Sequence, residues 1–185
     1  KEEYQARFDK VRKSMETIGL EVLILTDPSN LYYVAGYDAL SYYVPQCVVV
    51  ALELDEPVWL GRLQDHYCAV ETVWMKHENI LPYPDQYLWE PEKLHVMDFF
   101  SDYLKEKKLD RKRIGLEDAS FYMPAYWKER LAGCMPEAKL LDATNLVNWI
   151  RAEKSPQELE YMSIAARLVE NAMLGAVRKM DVGVR

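Results

Sequence analysis

Tyr4-Gln5-Ala6-Arg7-Phe8-Asp9-Lys10-Val11-Arg12-Lys13-Ser14-Met15-Glu16-Thr17-Ile18-Gly19-Leu20-Glu21-Val22-Leu23-Ile24-Leu25 decides the fold class. Tyr4, Phe8, Val11, Met15 and Ile18 recur at steps of three and four, which is the stripe of an amphipathic helix, and Gly19 ends it. Val22 to Leu25 then run apolar without a break. Alternation is missing, so this short segment reads as a strand covered on both faces. A helix followed by such a strand opens an α/β domain.

The same reading extends outward along the chain. Asp27-Pro28-Ser29-Asn30 is a turn and a cap that leads into a short helix over Leu31 to Ala35, ended by Gly36. Val44 to Leu52 and Pro57 to Leu60 are two strands joined across Glu53 to Glu56, and so short a connection implies an antiparallel hairpin. A helix around Gln64 to Trp74, a strand near Ile80 to Tyr83 and a helix from about Pro91 to Lys107 follow. Strands at Arg113 to Leu116 and Ala138 to Leu141 flank a helix near Pro124 to Ala132, and Ala143 to Arg151 reads as a helix capped by Asp142. The expected architecture is a mixed β-sheet with helices on both faces over residues 1–150.

Residues 151–185 have a different character. Ser155, Pro156 and Glu158 form a capping box with proline at the first helical position. Leu159, Met162, Ala166, Val169, Met173, Val177 and Met180 then mark one apolar face of a long helix. Nothing after this helix covers that face, which leads us to expect a linker and the first helix of a second domain.

Composition excludes several function classes. With 23 basic and 30 acidic side chains the net charge is -7, and the densest basic cluster, Lys105 to Arg113, is broken by Glu106 and Asp110. A nucleic acid or an anionic membrane is therefore not expected as a partner. No apolar run reaches the length of a membrane span, and Lys1-Glu2-Glu3-Tyr4 is unlike a signal peptide. Cys47, Cys68 and Cys134 are isolated and in apolar company, which suits reduced core thiols in a cytoplasmic protein.

The chemistry-bearing residues are few. His66, His77 and His95 lack the spacing of metal ligands, and the sequence has no nucleophile elbow, no Cys-x-x-Cys and no phosphate-binding glycine loop. Neither catalytic residues nor metal ligands are expected in this chain. Two stretches stand out as candidate ligand contacts. In Gly36 to Gln46, Tyr37, Asp38, Tyr42 and Tyr43 share a loop between a helix and a strand, where rings and polar tips can meet a ligand. They can equally close one end of the sheet, with Asp38 capping a turn. In Gly61 to Asp65, Arg62 can grip a carboxylate, although Asp65 is near enough in sequence to be its structural partner.

Taken together, the opening helix, the run Asp27 to Tyr37, the strand Arg113-Ile114-Gly115-Leu116-Glu117 and the signature Arg151 to Glu158 resemble the creatinase/prolidase family of pita-bread metallohydrolases. The loop Gly36 to Gln46, Trp59 to Asp65, Tyr83-Pro84-Asp85 and Asp142 to Trp149 look most similar to its ectoine hydrolase and creatinase branch. The resemblance implies a ribonuclease H-like amino-terminal domain at 1–150. It also implies that 151–185 begins a truncated carboxy-terminal catalytic domain. In the peptidase members that domain holds two divalent ions (Mn, Co or Zn), whereas creatinases work without the pair. Expected partners are the chain's own catalytic domain, a second copy in a homodimer, and a small amide or dipeptide substrate. The function implied is a non-catalytic gating and dimerisation domain of a hydrolase acting on carbon-nitrogen bonds, inactive when alone. The alternative is a stand-alone protein- or peptide-binding module of a catalytically inactive relative.

Overall fold

A computed structural model describes residues 1–90 and 92–183. The chain divides into two compact units, 1–150 and 151–185. In the first, α1 (Glu2–Ile18) leads into β1 (Val22–Leu25), and α2 (Pro28–Ala35) into the hairpin of β2 (Cys47–Ala51) and β3 (Val58–Arg62). A turn of 3-10 helix (Leu63–Asp65) precedes α3 (His66–Thr72). Then come β4 (Ile80–Tyr83), the short α4 (Gln86–Trp89), α5 (Val96–Glu106), β5 (Arg113–Leu116), α6 (Ala125–Cys134), β6 (Lys139–Asp142) and α7 (Leu146–Ala152).

The six strands form one mixed sheet in the order β4-β3-β2-β1-β5-β6. β1 pairs antiparallel with β2, and β2 antiparallel with β3, while the pairs β3-β4, β1-β5 and β5-β6 are parallel. Only β2 therefore runs against the rest. All four side chains of β1 are buried and alternate between the faces of the sheet: Val22 and Ile24 join one core, Leu23 and Leu25 the other. The first core packs Val49, Leu60, Ile114 and Leu116 beneath Phe100, Leu104, Trp127 and Leu131 of α5 and α6. The second packs Val48, Val50 and Trp59 beneath Phe8, Val11 and Met15 of α1, with α2, Ala69 of α3 and Val147 of α7. Helices cover both faces.

Several boundaries differ from the sequence reading. β2 begins at Cys47 rather than Val44, because Pro45 has no N–H for the ladder and its carbonyl takes the Tyr83 hydroxyl at 2.6 Å. The helix expected from about Pro91 to Lys107 begins at Val96, where the Nδ1 of His95 accepts the Met97 N–H and acts as N-cap. Pro91 itself lies outside the described residues. Asp142 does not cap α7. Its carboxylate accepts the Thr144 N–H at 2.9 Å, closing an Asx turn, and the helix starts two residues further on, at Leu146. Of the three cysteines only Cys47 is buried; Cys68 is exposed and Cys134 partly so, and all three are free.

In the second unit α8 (Pro156–Arg178) starts from a complete capping box: Ser155 accepts the Glu158 N–H at 3.1 Å and Glu158 accepts the Ser155 N–H at 2.8 Å. Its apolar stripe is exposed, with Leu159 and Met162 each at 54% and Met173 at 64%. No helix among the described residues is long and apolar enough to cross a membrane.

Candidate functional site

Because β1, β3, β4, β5 and β6 run the same way, their carboxyl ends meet at one edge of the sheet, where β2 begins. Open α/β sheets place ligands outside this edge, where loops leave the strands and side chains converge. Here the edge collects Thr26 and Asp27 after β1, Tyr42 to Gln46 before β2, Arg62 at the end of β3 with Leu63 to Asp65 after it, Asp85 after β4 and Glu117 after β5.

Glu117 organises the middle of this edge. It is buried, and its carboxylate accepts the backbone N–H groups of Thr26 and Asp27, the Thr26 hydroxyl and the Asn30 amide. Burial raises the pKa of this carboxyl, and the hydrogen bonds oppose that rise. Asn30 also reaches Asn148 Oδ1 at 3.0 Å, tying α2 to α7, and Asp27 caps α2 through the Ser29 N–H at 2.9 Å. With its lone pairs engaged in the backbone, Glu117 braces the edge.

Beside this brace lies a cleft of about 240 Å³ lined by Thr26, Tyr42, Tyr43, Gln46, Phe121, Tyr126 and Trp127 among others. Tyr42 and Phe121 stack across it with ring centroids 5.5 Å apart. A second hollow of about 190 Å³ shares Tyr43, Tyr126 and Trp127 with the first and adds Tyr87 and His95. Burial lowers the His95 pKa and so favours the neutral imidazole, whose Nδ1 already serves as the α5 cap.

The six residues singled out in the sequence divide among three places. Tyr42 and Tyr43 line the cleft and stand 69% and 77% exposed. Tyr37 lies in the core on the α1 side of the sheet, its ring 5.3 Å from that of Trp59 and its hydroxyl donating to Gln46 Oε1 at 2.9 Å. Asp38 is exposed next to α3, and its backbone N–H donates to the Thr72 hydroxyl. Arg62 and Asp65 share the far end of the edge but are not each other's hydrogen-bond partners. Arg62 donates to both oxygens of Asp85 instead, at 2.8 and 3.3 Å, because the parallel pairing of β3 with β4 sets Arg62 opposite Tyr83 and brings Asp85 alongside. This pairing holds the Asp85 carboxyl below its ordinary range, whereas burial raises that of Asp65.

Sequence reasoning passed over Gln46, Phe121, Tyr126 and Trp127. Gln46 is almost wholly buried in the cleft lining, and its Nε2 has no hydrogen-bond partner. A buried donor left in this state costs about 1–3 kcal/mol. The sequence signal for it was a polar residue directly ahead of the all-apolar strand Cys47 to Ala51. Phe121, Tyr126 and Trp127 lie some 80 residues from Tyr42 in sequence and join it only through the β1-β5 pairing. Among the described residues no three His, Cys, Asp or Glu side chains converge to hold a metal ion.

Comparison with known proteins agrees with the fold and the sequence motifs. The chain is 43% identical over 170 residues to the ectoine hydrolase of Halomonas elongata, a match covering 91% of this chain and 42% of that protein. Its fold is similar to that of an Xaa-Pro dipeptidase from Bacillus anthracis, with a TM-score of 0.74 at 14% identity, covering 98% of this chain and 45% of that one. It is also similar to the separately crystallised N-terminal domain of a cytoplasmic peptidase from Mycobacterium tuberculosis, with a TM-score of 0.59 at 15% identity, covering 77% of this chain and 96% of that one. The chain spans less than half the length of the curated relatives it matches. Residues 7–152 match the family model of the Creatinase/Prolidase N-terminal domain, and the chain belongs to the creatinase/prolidase family.

Proposed function

We propose that residues 1–150 are the gating and dimerisation domain of a hydrolase that cleaves a carbon-nitrogen bond in a small amide or dipeptide, of the ectoine hydrolase, creatinase or Xaa-Pro peptidase type. The observation that carries this reading is the placement of Tyr42 and Tyr43. Both rings stand largely exposed on an irregular segment at the edge where the parallel strands end, over an aromatic cleft. Exposed aromatic rings on a loop anchored to a rigid sheet suit contact with a substrate held by another surface. In this reading the catalytic groups, with a metal pair where the enzyme uses one, belong to the catalytic domain of the full-length protein. The 43% identity to an ectoine hydrolase favours a small cyclic amide or amidine over a dipeptide.

The test is hydrolysis by the full-length protein of ectoine, creatine and an Xaa-Pro dipeptide, with and without added Mn²⁺ or Co²⁺, for the wild type and Tyr42→Ala. Cleavage of one substrate identifies the branch. Tyr42→Ala should then raise KM or lower kcat about tenfold while the far-UV circular dichroism stays unchanged, the loss of one ring contact being worth about 1 kcal/mol or more. Unchanged kinetics would reject the substrate contact.

A further inference from the structure

His95 caps α5 with an acceptor that a proton removes. The Met97 N–H donates to its Nδ1 at 3.1 Å, so the neutral ring carries its own proton on Nε2. A proton taken up at Nδ1 would turn that acceptor into a donor facing the Met97 N–H, and would set a positive charge at the positive end of the α5 dipole. Cap and imidazolium are therefore mutually exclusive. The usual caps, Ser, Thr, Asn and Asp, have no such switch near neutral pH. The turn that His95 holds carries Asp98, whose carboxylate accepts from two nitrogens of Arg130 at 2.7 Å and from the Cys134 thiol, and so ties α5 to α6. Tyr126 and Trp127 of α6 wall the aromatic cleft, and His95 meets Tyr126 edge-on, with ring centroids 6.4 Å apart, in the hollow they share with Tyr43 and Tyr87. The titratable and charged groups around the ring are thus Asp98 on α5, Arg130, Cys134 and Tyr126 on α6, Tyr87 on α4 and Tyr43 before β2. Burial, the largest influence, favours the neutral ring; Arg130 acts with it and Asp98 against it.

We propose that His95 is an acid-sensitive latch on the aromatic edge: the neutral imidazole holds the first turn of α5 and with it the α6 wall of the cleft, and its protonation releases both. The latch adds a regulation to the gating reading and rests on that reading for its functional meaning. Its test needs no substrate, so its failure is distinct from a failure of the kinetic test. The folded chain binds this proton more weakly than the unfolded chain. The stabilisation is therefore fully present above the ordinary histidine value of 6.5 and is lost as the pH falls through the folded-state value. Asp98, held below 3.8, stays ionised over that range.

The experiment is amide hydrogen exchange of the full-length protein, read by mass spectrometry between about pH 7.5 and about pH 4.5 as protection factors, which remove the intrinsic pH dependence of exchange. In the wild type, protection over residues 96–100 should fall about fivefold as the pH drops, the loss expected for one helix cap, with a midpoint below 6.5. Protection over residues 125–128, the start of α6, should fall with it. His95→Asn and His95→Ser, which cap without titrating in this range, should keep the neutral-pH protection throughout. Three results would overturn the inference: constant protection of α5 in the wild type, the same loss in both cap variants, or a loss in α5 that leaves residues 125–128 unchanged. The second would place the response in a group other than His95.

Discussion

A methyl group added at Gly61 would overlap the indole of Trp59, which lies along the same face of β3 two residues away. Gly61→Ala must push that ring, and with it Tyr37 and the base of the Tyr42 loop, out of place. We expect a loss of about 1–3 kcal/mol, read as a lower urea midpoint at unchanged slope. Glu117 makes the opposite demand, for acceptors only. Glu117→Gln turns one oxygen into a donor that faces the N–H groups of Thr26, Asp27 or Asn30, and should cost about 2–3 kcal/mol in the same assay. At this scale the sequence was legible in part. Asp27-Pro28-Ser29-Asn30 announces its cap and turn, because capping is a local matter between neighbours in the chain. That Asn30 meets Glu117, 87 residues away, is decided by the parallel pairing of β1 with β5.

The elements show the same division. The stripe of α1, the apolar run of β1 and the capping box of α8 are periodic or local features, and each forms over nearly the residues expected. Ser155→Ala removes one half of that box and should cost about 1 kcal/mol, seen as faster amide hydrogen exchange in the first turn of α8. The join between α5 and α6 is non-local. Asp98 on α5 accepts from Arg130 on α6 at two positions, both 2.7 Å, and also from the Cys134 thiol. This clamp sets α6, and so the Tyr126 and Trp127 wall of the cleft. The Arg130 guanidinium holds the Asp98 carboxyl below its unfolded value of 3.8. The folded chain thus binds this proton more weakly than the unfolded chain. The stabilisation is fully present above pH 3.8 and is lost as the pH falls through the folded-state value. Stability measured from pH 5 down to pH 3 should therefore fall less steeply for Asp98→Asn than for the wild type.

For the whole molecule, the apolar stripe of α8 is the feature with consequences. Leu159, Met162, Val169 and Met173 are each more than half exposed, and every such side chain that leaves water contributes about 1.5–3 kcal/mol. Sedimentation equilibrium on the 185-residue chain should show concentration-dependent association. Met162→Glu with Val169→Glu should return it to a monomer; a strictly monomeric wild type would dismiss this role of the stripe. The sequence by itself determined the α/β class, the order of the elements and the family, because these rest on periodicity, capping and ordered motifs written along neighbouring residues. The tertiary structure alone decided which side chains share the edge. Arg62 with Asp85 rather than Asp65, and Tyr42 with Phe121, both depend on strand order and register. Those are set by the packing of two apolar faces across the whole sheet, and no window of sequence contains them.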